Sequence, residues 1–400
     1  MIILAIETSC DDSAVSIVRA TGGFGRSKFE VLAHNVSSQT KIHEKWGGVV
    51  PTLAKREHGK NLMPLLVKTL KEAGIFAIAK KNLPAFEPKK IEKILERESE
   101  LLAQFLKTIP HLKKPKIDAI AVTEGPGLEP ALWVGINFAR ALSLVWNKPL
   151  IPVNHLEGHL YTGMIDEQKI ENKKNQTKIA KIQFPALALI VSGGHTELIL
   201  VRDWLKYKLI GSTRDDAVGE AFDKVARILD LPYPGGPQIS KLAKAAPKTT
   251  TAETEIKLPR PMINSGDFDF SFSGLKTAVL YLAQKLKDEG KFNDQTKALI
   301  AKDFQQACID VLIAKTNRAI FKFKPQTILV GGGVIANQEL RKQLEKLVAK
   351  TPEISLFVPD QKFTTDNATM IAVAAHLRNQ QKKTPKTPSR LQAQGQMPLR

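Results

Sequence analysis

The sequence predicts an α/β protein built from two related lobes. Two observations lead there. An apolar run at residues 2–8, a polar turn and a second apolar run, Ala14 to Val18, recur in the same layout at Ala186 to Val191, Ser192-Gly193-Gly194-His195-Thr196 and Glu197 to Val201. Strand, glycine turn and helix also recur, at residues 117–146 and again at 327–349. Strands that alternate with helices in this way form layered α/β lobes, and the repeated hairpin points to a duplication around a shared cleft.

Composition narrows the class. The chain has 400 residues, 43% hydrophobic and 25% charged, as in a soluble globular protein. No apolar run approaches the ~20 residues of a membrane span. MIILAIET lacks a basic n-region and reads as a strand, not a signal peptide. Two cysteines, Cys10 and Cys308, imply no disulfide framework and fit a reducing cytoplasm. The 59 basic residues exceed the 40 acidic ones, giving +19, so an anionic partner is expected, nucleic acid first. Part of that excess is peripheral, because residues 381–400 carry Lys382, Lys383, Lys386, Arg390 and Arg400 and no acid.

In chain order, the first turn is Glu7-Thr8-Ser9-Cys10-Asp11-Asp12-Ser13. Its hydroxyls and backbone N–H groups suit a phosphate, and Asp11 or Asp12 could reach a cation or water; an ordinary polar turn is the alternative. Residues 30–38 form a third strand. A helix follows from Thr52 to Ala73, with Pro64 expected to kink or divide it. Residues 75–116 read as an insertion around one amphipathic helix, with Ile91, Ile94, Leu95, Leu101, Leu102, Phe105 and Leu106 on one stripe facing the body or a partner. The turn Gly125-Pro126-Gly127 before the helix Pro130–Trp146 lets backbone approach a ligand.

The strand Leu150–Val153 leads into Asn154-His155-Leu156-Glu157-Gly158-His159. Histidines four apart share a helix face and can share a metal ion, given a third ligand; a capping Asn before two surface histidines is the plain alternative. A charged loop spans 165–183. After a strand at 207–214, residues 215–227 read as a helix capped by Asp215 or Asp216. Asp216, Glu220 and Asp223 share a face that is either solvated or binds hydroxyls such as a ribose. The turn 231–237 closes this unit. Phe268, Phe270 and Phe272 alternate as core residues of a strand, and helices follow at 275–288 and 295–321. Gly331-Gly332-Gly333 offers a nucleotide a backbone surface, but it is not GxGxxG and lacks a Walker lysine. A last strand covers Leu356 to Pro359. The final helix starts with Thr365 or Asp366 at its cap, and Asp366 is either that cap or the missing third ligand.

Eight segments in this order, IETSCDDSAVSIV, GGVVPTLAKREH, VNHLEGHLY, LIVSGGHTEL, DDAVGEAFDKVARILDLPYPGGP, FSFSGLKTAV, LVGGGVIANQEL and FTTDNATMIA, resemble the TsaD family of tRNA N6-adenosine threonylcarbamoyltransferases, once called O-sialoglycoprotein endopeptidase. The resemblance runs from Met1 to Leu377 outside the two insertions; the insertions, the basic tail and Glu129-Pro130 depart from the pattern. It implies the actin-like ATPase fold (that of sugar kinases, heat-shock chaperones and actin), two RNase-H-like lobes around a nucleotide cleft. The expected division is lobe I at 1–153, lobe II at 154–364, a closing helix at 365–380 returning to lobe I, and a disordered basic tail at 381–400.

By the same resemblance, His155, His159 and Asp366 hold one divalent metal. Iron(II) is the expected ion, with zinc and magnesium as alternatives. Ile190, Val191, Ser192, Gly193, Gly194, Asp223, Gly236 and Asn337 bind the co-substrate threonylcarbamoyl-AMP. The implied reaction moves its threonylcarbamoyl group to N6 of the adenosine 3′ of the anticodon, in tRNAs reading codons that begin with A. No general base is identified; Asp11 and Asp12 are the candidates. TsaB-like and TsaE-like partners are implied, with a TsaC-like enzyme supplying the intermediate, in the cytoplasm and without a membrane. The competing readings are a metallo-glycopeptidase and a non-catalytic nucleotide-binding scaffold of the same fold. Against the peptidase, Glu157 stands two residues after His155, about 200° around a helix, where HExxH enzymes place Glu next to the first His. A generic kinase of this fold would not require the histidines.

Overall fold

The computed structural model describes residues 1–79, 86–165, 182–247, 256–381 and 390–399. Both expected hairpins form. In the first, β1 (Ile2–Glu7) pairs antiparallel with β2 (Asp12–Thr21), and β2 with β3 (Lys28–Ser38). The parallel strands β4 (Ala119–Gly125) and β5 (Leu150–Asn154) complete the order β3-β2-β1-β4-β5. In the second, β6 (Ala186–Val191), β7 (Thr196–Asp203) and β8 (Lys206–Ser212) pair antiparallel. Parallel β9 (Thr327–Gly331) and β10 (Ser355–Phe357) extend that sheet to the order β10-β9-β6-β7-β8. Read from the other end, this is the first order again. A five-stranded sheet of this order, present twice, is the duplicated RNase-H-like lobe of the actin-like fold.

Burial follows the sheet order. Every residue of the inner strands β4, β6 and β9 is buried, as apolar runs covered on both faces must be, and so is every residue of β5 at one edge. The outermost β3 and β8 instead expose Lys28, Glu30, Lys206 and Lys208, charges that discourage edge-to-edge pairing.

The chain divides into two compact units: Met1–Ile42, Val49–Ile165 and Thr365–Arg400 form the first, His43–Gly48 and Asp166–Thr364 the second. The boundary falls after Ile165, where the sequence reading placed it after Val153.

In the first unit one sheet face (Leu4, Ile6, Val15, Ile17, Ile120, Val122) packs under α2 (Pro51–Glu72) and α5 (Glu129–Trp146). The opposite face (Ile3, Ala5, Val18, Ala121, Val153) packs against α12 (Ala368–Gln380). Pro64 does not divide α2. The insertion differs from expectation. Its single amphipathic stripe is carried by two helices, α3 (Pro88–Ile94) and α4 (Ser99–Thr108), because the chain leaves the helix between Leu95 and Glu98. Ile91, Leu95, Leu101 and Phe105 are still fully buried against the α2/α5 face. No described helix is long and apolar enough to cross a membrane.

The tail corrects a second expectation. Residues 382–389 lie outside the described residues, but 390–399 are not a disordered end. Leu391 is fully buried in the α2/α5 core, and Arg140 donates to its carbonyl. Gln394 N donates to the Glu124 carbonyl, and Gly127 N to the Gly395 carbonyl. The open backbone of the 125–127 turn, expected to admit a ligand, thus receives the protein's own C-terminal segment. A Cβ at Gly125 would sit 2.0 Å from the Gln394 carbonyl oxygen.

In the second unit the core gathers α7 (Val218–Ile228), α8 (Gly235–Ala245), α9 (Ser273–Asp288), α10 (Asp294–Phe323) and α11 (Gln338–Val348) against β6 and β9. Phe268, Phe270 and Phe272 are core residues, although only Phe270 bridges a strand-like partner, Thr213. Most of the charged loop expected at 165–183 lies outside the described residues. Helix α8 was not foreseen, since Pro234-Gly235-Gly236-Pro237 reads as a turn; its two prolines fit the cap and first helical turn.

Candidate metal centre and substrate turns

Asn154 starts α6 (His155–Tyr161) as its cap, accepting from Leu156 N at 2.8 Å and Glu157 N at 3.4 Å. The short helix puts His155 and His159 on one face, rings 4.6 Å apart and edge to face. Asp366 arrives from the segment before α12. It is not that helix's cap, because Asn367 holds the position and accepts from Met370 N. Relieved of capping, Asp366 turns Oδ1 to His159 Nε2 at 3.1 Å and His155 Nε2 at 3.4 Å. The three candidate ligand atoms lie within 4.8 Å of one another. Two imidazoles and one carboxylate are a donor set that suits a first-row divalent ion.

Glu7, which the sequence reading left in a polar turn, completes the centre. It is fully buried at the end of β1 and accepts from Thr123 Oγ1 and Ser9 N, each at 2.5 Å. Its Oε2 stands 3.1 Å from His155 Nδ1. A carboxylate on the far nitrogen of a ligating histidine fixes the ring and leaves Nε2 for the metal. Charge follows geometry. Burial opposes a proton on His155, yet Asp366 and Glu7 outweigh it and push its pKa up to about 10. Burial would raise Asp366, but His155 and His159 hold it well below the carboxylate range. Burial keeps His159 below its ordinary value. Two acids and two histidines so close are a site arranged for a cation.

Glu157 does not join them. It bonds Arg378 on α12, buried and facing away from the ligand set. Asp12 lies at the start of β2 with Oδ1 buried and unpartnered, and burial, then Asp11, pushes its carboxyl up to about 7.

In the second unit the β6–β7 turn closes on itself: Ser192 N donates to the His195 carbonyl, and His195 N to Ser192 Oγ. Gly193 and Gly194 face open space, as does Gly236. The triple glycine serves packing first. At Gly332 φ is +93° and a Cβ would lie 2.3 Å from the Val191 carbonyl oxygen, so that turn presses on the β6 turn as only glycine can. The acidic face of α7 is not free: Lys224 pairs with Asp216 and Glu220, and Asp223 accepts from Gly235 N at 2.7 Å. Asp215 is not a cap either; it gathers Ser271, Phe272 and Ser273, and α7 begins two residues later than the cap reading required. Asn337 caps α11 while its amide donates to Ser240 and Gln305.

Residues 30–79 and 89–373 match the family model described as TsaD, tRNA N6-adenosine threonylcarbamoyltransferase. The chain belongs to the TsaD family. A tRNA N6-adenosine threonylcarbamoyltransferase of Persephonella marina is 41% identical over 94% of this chain and 90% of its own length. One from Anoxybacillus flavithermus is 39% identical over 96% and 93%. A crystal structure of full-length HypF in the phosphate- and nucleotide-bound form covers 95% of this chain and 55% of that chain, at 12% identity and a TM-score of 0.48. Within the TsaD match, the first unit brings His155, His159 and Asp366 together. The second holds Ile190 to Gly194, Asp223, Gly236 and Asn337, where Gly193 and Gly194 are exposed, Gly236 is half-buried and the side chains of Asp223 and Asn337 are bonded within the protein.

Proposed function

We infer that this chain transfers the threonylcarbamoyl group from threonylcarbamoyl-AMP to N6 of the adenosine 3′ of the anticodon, in tRNAs reading codons that begin with A. The observation that carries this is 41% identity, over 94% of this chain and 90% of the relative, to a protein named for that activity, in a chain that keeps a close His/His/Asp set. The donor set favours iron(II) over a hard, all-oxygen ion, since two of three donors are imidazoles.

The chemistry asks three things of the protein. The N6 amine, a weak nucleophile, attacks the carbamoyl carbon; the bond from that carbon to the phosphate oxygen breaks; AMP leaves and the amine loses a proton. Gly193 and Gly194 offer backbone N–H groups to the phosphate that takes up charge as AMP departs. His155, His159 and Asp366 would hold the divalent ion, which when bound would supply Lewis-acid chemistry. Asp12, with an unpartnered oxygen and a carboxyl pushed up to about 7, is suited to accept the amine proton at neutral pH. TsaB-like and TsaE-like proteins complete the system, and a TsaC-like enzyme supplies the intermediate.

A peptidase is disfavoured by one contact. The carboxylate of the histidine motif, Glu157, is held by Arg378 and is not placed to activate a water on the metal. The test is single-turnover incubation of unmodified tRNA with preformed threonylcarbamoyl-AMP and the partner proteins, followed by nucleoside mass spectrometry. Threonylcarbamoyladenosine at the position 3′ of the anticodon is the expected product; its absence with all components supplied overturns the assignment.

A further inference from the structure

On the first unit, on the sheet face away from α12, a groove of about 1340 Å³ opens between α2, α3 and α5. It plays no part in the reaction described above. Six cations line it: Lys55, Lys90, Lys93, Arg97, Arg140 and Lys148. Against them stand three acids, Glu96, Glu98 and Glu129, and burial raises the Glu98 carboxyl toward its neutral form. The balance therefore favours an anion.

Two further features say what kind. Trp133 lines the groove half-buried, with the Arg140 guanidinium 5.5 Å from its ring, an aromatic face backed by a cation. Glu98 is only 6% exposed; Oε2 accepts from Asn137 Nδ2 at 3.3 Å, while Oε1 has no partner. A ligand that satisfies this lining brings negative charge, a flat face and N–H or O–H donors in one chain. Single-stranded RNA has all three: phosphates, bases, and base amines with 2′-hydroxyls. An acidic peptide supplies the charge without a stacking face attached to it. The metal ligands belong to α6 and the segment before α12, and α12 covers the opposite face of the sheet. A small ligand in the groove could not also reach the metal centre, whereas a tRNA is long enough to touch both faces.

We propose that this groove binds an unpaired segment of the substrate tRNA remote from the reacting adenosine. The inference rests on the transferase reading. It makes α3 and the link after it, part of the insertion, an RNA-holding wall.

The test is a charge reversal, Lys90→Glu with Lys93→Glu and Arg97→Glu, all three exposed and free of core packing. A control reverses two exposed lysines of α11 and one just after it, Lys342→Glu, Lys346→Glu and Lys350→Glu, for the same change in net charge. Affinity for unmodified tRNA is measured by fluorescence anisotropy across KCl concentrations, beside single-turnover transfer. The groove variant should bind at least about tenfold more weakly at low salt. Its slope of log Kd against log salt should be shallower by about 2 to 3, as three lost phosphate contacts require. Transfer at saturating tRNA should be unchanged. Trp133→Leu should weaken binding about tenfold without altering that slope. Equal affinity and slope in the groove variant, or an equal loss in the α11 control, overturns the proposal; the former would leave the groove to an acidic protein surface. Wild-type protein that binds and modifies tRNA in the same assay confines that failure to the groove. Wild-type protein that does neither removes the transferase reading and this one together.

Discussion

His155 uses its two ring nitrogens for different tasks. Nδ1 faces Glu7 and Ser9, and Nε2 faces Asp366. Glu7→Gln keeps the shape and loses the charge, so divalent-metal affinity should fall about 10–100-fold, with transfer recovering at high metal concentration. Titration of the metal-free protein by calorimetry checks it; unchanged affinity would show that Glu7 only packs. The proton pattern adds a sign. His155 holds its proton up to about pH 10 in the metal-free protein, and a ligating nitrogen must be bare. Metal uptake at pH 7 to 8 should therefore release about one proton and tighten about tenfold per pH unit. For Asp12, a carboxyl near 7 acting as a base is active only when ionised, so transfer should rise with pH up to about 7 and level off. Asp12→Asn should slow single-turnover transfer about 100-fold or more and flatten that limb; a wild-type-like profile would exclude it as the base. The histidine pair was legible because four residues make one helical turn. Glu7 was not, because it meets His155 across 148 residues and nothing local marks an acid at a strand end as a metal-site residue.

At the scale of elements, the C-terminal segment changes most. Asn154 caps α6, which carries the two candidate metal ligands, with its side-chain oxygen, and its amide donates to the Met397 carbonyl at 3.2 Å. Leu391 anchors that segment in the core, so Leu391→Ala should cost about 2–5 kcal/mol of stability, read from urea unfolding of the first unit. A truncation before Arg390 should also weaken metal binding, since α6 loses a brace at its cap. Composition argued for disorder here because five cations without an acid describe a tail in isolation. The burial of one leucine between them is decided by the α2/α5 face, which lies more than 240 residues earlier in the chain. The start of α12 failed for a local reason: Thr365, Asp366 and Asn367 are all capping types side by side, and spacing alone cannot choose among them. The insertion's apolar stripe was legible, but its break at Leu95–Glu98 was not, because no proline or glycine marks it.

At the scale of the molecule, duplication was the most legible property. Both hairpins announce themselves by apolar runs around a small polar turn, and each sheet needs only two more parallel strands delivered by a helix. The excess charge was legible as a preference for anions; the groove that gathers six cations was not, because its lining comes from α2, α3, α5 and the links after α3 and α5. The proposed link from fold to function is one constellation, His155, His159 and Asp366, drawn from the end of the first sheet and the start of the last helix. Its most direct test strips the purified protein of metal with a chelator and follows single-turnover transfer from preformed threonylcarbamoyl-AMP to tRNA. Transfer should fall to background and return with one equivalent of iron(II), and His159→Ala or Asp366→Ala protein should fail to recover it. Undiminished transfer by the metal-free protein would contradict a metal role for these three residues.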